Sequence, residues 1–361
     1  MPAAPRLIAL HLPQYYPIPE NDAAWGLGFT EWTHVAKARS LYPGHGQPRI
    51  PGELGFYDMR LAETRAAQAD LAAKHGIEAF CYWHYWFAGR RVLEKPVEAI
   101  LRSGEPHFSF CLCWANASWT GAWYGKPNQT LIEQTYPGED DFRAHFEAVL
   151  PALRDQRYLR VDGLPLFSVF QPTEIPGVEH FCELWRKLAR GAGLPGLHLV
   201  GFGTESFEPE RHGFDASVQH APRLPWPLRG KRAGWQRFLG VPAILSYERF
   251  VKRGLPRVAS ELDYPVVIPN WDNTPRSGRH GSVLHGSTPE LFRLHLHEAI
   301  ERASERPPEH QIVFIKSWNE WAEGNYLEPD LKHGRAYLEV VRDEVRRAAW
   351  AGADSIGAAI R

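Results

Sequence analysis

Short apolar runs recur along the chain, with amphipathic stretches between them. The runs are Leu7 to Leu12, Glu78 to Trp86, Phe108 to Trp114, Pro165 to Phe170, Leu197 to Phe202, Ala216 to His220, Val266 to Trp271 and Gln311 to Trp318. Their apolar residues are consecutive rather than alternating, which is the pattern of strands buried on both faces, as in a parallel sheet. The intervening stretches read as helices. Arg60 to His75 carries Ala and Leu at helical spacing and stops at Gly76, a good C-terminal signal. Asp140 to Arg154 opens with acids and aligns Phe142, Phe146, Val149 and Leu150 on one face. His180 to Arg190, Pro289 to Ser304 and Arg335 to Ala349 behave likewise. In the fourth of these helices Thr288 is placed to cap and Pro289 to occupy the first turn. Alternating strand and helix implies right-handed βαβ units. The expected fold class is therefore α/β, a single (β/α)8 TIM barrel over residues 1–361, with long loops after strands 1 and 6. An open doubly wound sheet is the alternative. No Gly-x-Gly-x-x-Gly turn follows any strand, which weakens its nucleotide-binding version.

The two long connections run over 13–59 and 221–264. The first is rich in Pro, Gly and Trp, and the second carries Pro-Arg-Leu-Pro-Trp-Pro. Long structured loops at strand C-termini are where barrels build binding surfaces. Charge narrows the ligand: 41 basic and 42 acidic side chains leave a net −1, so there is no basic footprint for nucleic acid. The 14 Trp change the picture more, because many lie beside polar residues at strand ends. Indole faces stack on the C–H faces of sugars, so a saccharide ligand is favoured over a merely bulky core, by analogy with aromatic-lined sites. Of the cysteines, Cys81, Cys111 and Cys113 fall in apolar runs, Cys182 stands apart, and no Cys-x-x-Cys pair exists. A zinc knuckle or redox motif is not expected. Buried thiols, no export-type apolar start and no stretch of membrane-spanning length lead to an expectation of a cytoplasmic protein without a membrane span.

Side chains just past strand C-termini point into a barrel's mouth, so those positions are read together. They supply Tyr15 and Tyr16 after the first strand and Trp83 and His84 from the second. Trp114 and Asn116 follow from the third, Gln171 from the fourth and His220 from the sixth. Asn270, Trp271 and Asp272 come from the seventh. The eighth ends in Lys316-Ser317-Trp318-Asn319-Glu320-Trp321-Ala322-Glu323-Gly324. Two acids three apart, between indoles, suit glycoside chemistry, which needs two carboxyl groups near one anomeric carbon. An apolar setting can keep one of them protonated at neutral pH. The rival reading is a helix start in which Glu320 or Glu323 meets the dipole. A metal site from His11, His84, His220 and Asp272 has no compact ligand spacing. Neither metal nor cofactor is expected.

The residues from Leu12-Pro13-Gln14-Tyr15-Tyr16-Pro17 through Trp25-Gly26 and Phe29-Thr30-Glu31-Trp32, with the closing Ser317-to-Gly324 run and Glu328-Pro329, resemble WbsX-like proteins. Those proteins belong with the family 99 glycoside hydrolases and are often labelled glycosyltransferases of bacterial polysaccharide clusters. The resemblance spans nearly the whole chain. It implies endo-acting α-mannosidase or α-mannanase chemistry on a (β/α)8 barrel, without metal and with retention of configuration. One carboxylate deprotonates the substrate's own 2-hydroxyl, which attacks the anomeric carbon to give a 1,2-anhydro sugar. The other protonates the leaving oxygen. Carried onto this chain, Glu320 matches the base and Glu323 the acid/base. Ala322 stands where the family's usual Glu-Trp-His-Glu has His, which removes an imidazole from the substrate's surroundings.

Internal attack requires a 2-hydroxyl trans to the leaving group with both axial. α-Mannosides and α-rhamnosides meet this condition and α-glucosides do not. The expectation is a retaining glycoside-bond enzyme on an oligosaccharide or polysaccharide of manno configuration. Trp318, Asn319 and Trp321 complete the binding set. Hydrolase and transferase differ in whether water or a sugar hydroxyl opens the intermediate, and a non-catalytic glycan-binding barrel is the rival from another class. Oligomeric state is left open.

Overall fold

The computed structural model describes residues 5–121, 130–203, 207–219, 240–255 and 263–359. Eight barrel strands follow in chain order: β1 (Arg6–His11), β2 (Ala79–Phe87), β3 (Ser109–Trp114), β4 (Leu164–Val169), β5 (His198–Gly203), β6 (Ala216–Gln219), β7 and β8 (Ile312–Ile315). β7 is one extended segment divided by Pro265 into Asp263–Tyr264 and Val266–Val267. Its first half pairs in parallel with β6 and its second with β8. The other neighbours, from β8 through β1 to β6, are parallel as well. The ring therefore closes. Proline has no N–H to donate, but the Pro265 carbonyl accepts from Phe314 N–H at 2.9 Å, so the break leaves the ladder continuous.

Helices α1 (Pro19–Trp25), α2 (Glu31–Lys37) and α3 (Ala62–Lys74) follow β1, and α4 (Lys95–Ser103) follows β2. Next come α5 (Glu139–Arg154), α6 (Val178–Gly191), α7 (Tyr247–Lys252) and α8 (Thr274–Ser277), then α9 (Pro289–Ser304) and α10 (Ala336–Ala359). At the start of α9 the Thr288 hydroxyl accepts from Leu291 N–H, with Pro289 in the first turn, as the sequence predicts. Among the described residues no helix is long and apolar enough to cross a membrane.

Consecutive apolar positions are needed because each strand buries two sides. Outward from β2, His84 and Trp86 stack on His145 of α5. Outward from β3 and β4, Trp114 meets Phe181 and Phe167 meets Trp185, both on α6. Trp185 is fully buried, and truncating such an aromatic costs about 3–5 kcal/mol. On the inward positions Cys81 sits opposite Cys111 in the register of β2 and β3, and all four cysteines are free and buried.

The seventh run departs from expectation. The barrel strand ends at Val267, and Trp271–Asp272 belongs to a separate small sheet with Ser282–His285 and Ala243–Ser246. Pro269 lies between, and a proline cannot continue an interior ladder. The first long loop is not irregular throughout: it holds α1 and α2. Of the second, 221–239 and 256–262 lie outside the described residues, as does His220.

Candidate active site

Past Ile315 the chain stays pinned to β1. Trp318 N–H donates to Leu10 O at 2.7 Å. The Asn319 amide then imitates a strand partner, its Oδ1 accepting from Leu12 N–H at 2.7 Å and its Nδ2 donating to Leu12 O at 3.0 Å. Ser317 Oγ accepts from the N–H groups of Asn319 and Glu320. The chain next makes one tight turn, Trp321–Glu323, and leaves it at Gly324 with φ +55°. A Cβ there would lie 2.8 Å from Asp272 Cβ and 3.0 Å from Asp272 N and O. Only glycine fits this left-handed, crowded position. The turn swings Glu320 and Glu323 into one cleft. Behind it, buried Glu328 accepts from Tyr57, Gln68 and Trp321. Burial, opposed by those donors, pushes its carboxyl up to about 7.

Arg276 of α8 joins the acids. Its Nη1 donates to Glu323 Oε1 at 2.6 Å, Nη2 to Glu320 Oε2 at 3.0 Å and Nε to Glu31 Oε1 at 3.2 Å. Glu31, from α2, also accepts from Ala322 N–H. The short helix is set by Asp272, whose Oδ1 accepts from Thr274 N–H and Oγ1. Asp272 itself is held by His45 and Gln47, each at 2.8 Å. Burial pushes the Asp272 carboxyl up, but the hydrogen bond from His45, the Arg49 charge and the remaining donors hold it below its ordinary value. Lys316 lies 4.8 Å over the Trp271 ring.

Three buried carboxylates thus face one guanidinium and one ammonium. Burial first, then the charge of Glu323, push Glu320 up to about 8, against the pull of Arg276. Burial also raises Glu31, with Arg276 opposing. Lys316 is lowered by burial, with Glu323 and Glu320 opposing. Desolvation and like charge both disfavour the charged form of Glu320 and Glu31.

The cleft encloses about 990 Å³, open solvent at its mouth included. It has two unlike sides. The chain after β7, β8 and β1 supplies Leu12, Gln14, Asn21, Trp271, Arg276, Lys316 and the two acids; β2 and the chain after β3 and β4 supply Trp83, Tyr85, Ala115, Ala117, Ser118, Trp119, Thr120, Leu131 and Phe170.

Of the residues expected there, Glu320, Glu323, Trp83 and Trp271 line the cleft. His84 does not: its Nε2 lies 2.9 Å from His145 Nε2 on the helix side, where burial lowers its pKa to about 3. Trp114 is on that side too, its indole donating to Trp86 O. Strand side chains alternate, so a one-residue offset reverses the face. Asn116 is a staple, accepting from Gln171 N–H and donating to Gln171 O, both at 2.7 Å. Neither residue lines the cleft. Tyr15 is buried behind the acids, its hydroxyl on Asn319 O, and Tyr16 is fully buried beside Lys95. Asn270 bonds to Arg49 and to Tyr326 O. Trp318 packs on Phe80, and Trp321 stacks on Tyr326. Asp272, Asn319 and these indoles support the site from behind. Arg276 carried no sequence signal, whereas Tyr85 shares the strand parity of Trp83. Among the described residues no group of three or more His, Cys, Asp or Glu is placed to hold a metal.

The family model described as glycosyltransferase WbsX matches residues 7–341. Protein WxcX of Xanthomonas campestris pv. campestris is 38% identical over 350 residues, covering 95% of this chain and 50% of WxcX; the same protein from a second strain is 37% identical over 362 residues. The chain spans about half the length of these relatives. Among solved structures, a GH99 endo-α-mannosidase from Bacteroides thetaiotaomicron superposes with a TM-score of 0.58 at 16% identity, covering 96% of this chain and 98% of that one. A glycoside hydrolase-like protein superposes with a TM-score of 0.58 at 13% identity, covering 95% and 94%. At such identities the likeness is one of fold.

Proposed function

The chain belongs to the WbsX glycosyltransferase family, and we propose that it is a retaining enzyme of glycosidic bonds in manno-configured glycans, acting through a 1,2-anhydro sugar. One arrangement carries the reading: Glu320 and Glu323, both bonded to Arg276, in an aromatic-walled cleft at the C-terminal mouth of a closed barrel. Glu320 takes the proton of the 2-hydroxyl as O2 attacks C1. Glu323 gives its proton to the leaving glycosidic oxygen as the C1–O bond breaks. Water or a sugar hydroxyl then opens the anhydro ring at C1, losing its proton to Glu323, while Glu320 returns the first proton to O2. The family, and relatives from a bacterium, support a role in bacterial cell-surface polysaccharide metabolism. Hydrolysis or transfer depends on which hydroxyl enters the second step.

Burial and the charge of Glu323 push Glu320 up to about 8, toward its protonated form. The roles above begin from an ionised Glu320, which binding of the 2-hydroxyl has to favour over the protonated form. The same observation favours a second reading in which the two roles are exchanged. Variants separate them. The acid's Gln variant is expected to lose glycan cleavage but to keep part of its activity on a glycosyl fluoride, whose leaving group needs little protonation. The base's Gln variant is expected to lose both. The primary reading expects the sparing in Glu323→Gln. Wild-type protein that binds glycans without turning any over, fluorides included, would leave a glycan-binding barrel instead.

A further inference from the structure

We infer that the sugar held against the acid pair is a 6-deoxyhexose of manno configuration, one that presents a methyl group and not a hydroxymethyl at C5. This rests on the reading that Glu320 receives the 2-hydroxyl, and it follows from the unequal sides of the cleft. In a pyranose ring C2 and C5 stand opposite each other. Glu320 stands at the end of β8, so a sugar with its 2-hydroxyl there directs C5 and its substituent across the mouth. In an eight-membered ring of strands β4 stands opposite β8, with β3 beside it. The residues just past those ends are Phe170, after β4, and Ala115 and Ala117, after β3, and all three line the cleft. Phe170 meets the Trp83 ring edge-on at 5.4 Å, and Leu131 extends the same wall. The charged and amide side chains lie on the near side, Gln14, Asn21, Arg276 and Lys316, together with the apolar Leu12 and Trp271. Among the described residues the far wall has three side-chain hydroxyls. Ser118 Oγ already accepts from Gln134 N–H at 2.9 Å, and Tyr85 and Thr120 supply the others. A C6 hydroxyl carried to Phe170 and the two alanines gives up water for carbon; a C6 methyl gains by the same contact.

The test uses matched glycosyl fluorides in both enantiomeric series: α-D-mannosyl against 6-deoxy-α-D-mannosyl fluoride, and α-L-mannosyl against α-L-rhamnosyl fluoride. In whichever series is turned over, the 6-deoxy member is expected to have a kcat/KM about 10- to 100-fold higher, the range open to a hydrophobic pocket facing an added hydroxyl. Ala117→Ser, which sets a hydroxyl on the far wall, is expected to narrow that ratio. A parent sugar turned over as well as its 6-deoxy partner overturns the inference. It leaves the acid-pair reading standing provided Glu320→Gln abolishes that turnover. Turnover of none of the four fluorides overturns both.

Discussion

Replacing Glu320 with Gln is expected to stabilise the fold in alkaline solution while destroying its chemistry. The side chain is buried, and its carboxyl is pushed up to about 8 from an ordinary 4.5. In the unfolded chain that carboxyl is ionised above pH 4.5; in the folded protein it keeps its proton until about pH 8. The folded state therefore binds more protons across that window, and stability falls as pH rises through it, levelling off above pH 8. At about 1.4 kcal/mol per pKa unit, holding Glu320 ionised in the fold costs on the order of 5 kcal/mol. Glutamine has the same shape and no charge to desolvate, and its carbonyl still accepts from Arg276. The raised pKa already includes the pull of Arg276, so in alkaline solution the variant is spared the whole of that cost, on the order of 5 kcal/mol. With an unfolding entropy of about 2.1 cal/mol/K per residue and 361 residues, that corresponds to about 6 °C in Tm. Calorimetry of both proteins at pH 5, 7 and 9 reads the effect directly. The variant should match the wild type closely at pH 5 and exceed it by about 6 °C at pH 9. A difference that stays constant with pH, or a deficit that grows with it, would show that Glu320 is not held against its charge.

Gly324→Ala is expected to cost about 2 kcal/mol or more in stability, because the added Cβ meets Asp272 at a positive φ; thermal unfolding measures it, and an unchanged Tm refutes the packing argument. Arg276→Gln removes a charge that lowers the Glu320 pKa. The Glu320 titration, followed by ¹³C NMR of labelled carboxyls, should move above its wild-type midpoint, and a downward move contradicts the assignment. Trp83→Ala and Trp271→Ala should raise KM about 10-fold, by the loss of an aromatic contact worth roughly 1.5 kcal/mol. Trp114→Phe, on the helix side, should lower Tm and leave KM within about twofold, a null effect on binding expected from distance and face alone.

The strand runs and five of the helices were legible because burial on two faces and on one face leave different periodicities. The two acids were legible because a strand end in a barrel has one destination. What was not legible depends on parity and on distant partners. His84 and Trp83 are neighbours in an unbroken aromatic run, and nothing local states which faces the lumen; His145, 61 residues on, decides it by taking His84. Asn116, Asn270, Asp272 and Asn319 were expected in the cleft because amides and carboxylates bind sugars. They are spent instead on backbone groups and side chains that the irregular strand ends leave open, which a buried turn must satisfy from somewhere. Val266 to Trp271 reads as one run, yet Pro269 ends the strand inside it.

Arg276 is the residue that no local pattern announces, and it is also the one on which the acid pair depends. A carboxyl pair in an aromatic cleft is a motif of eight residues, but its charge balance is not local. Glu31 comes from the loop after β1 and Arg276 from the loop after β7, 245 residues apart. What makes their meeting reproducible is Asp272. Its carboxylate caps the short helix that carries Arg276, and its backbone and Cβ fill the space that Gly324 leaves open at the end of the acid turn. The guanidinium and both acids are therefore positioned against the same residue, and Asp272 in turn is fixed by His45 and Gln47 from the first loop. A shift of that anchor moves the cation and the acids together and preserves their spacing, whereas a change in any single loop would not. Such common anchoring keeps both carboxyl groups within hydrogen-bonding reach of one guanidinium, the arrangement on which the acid pair rests.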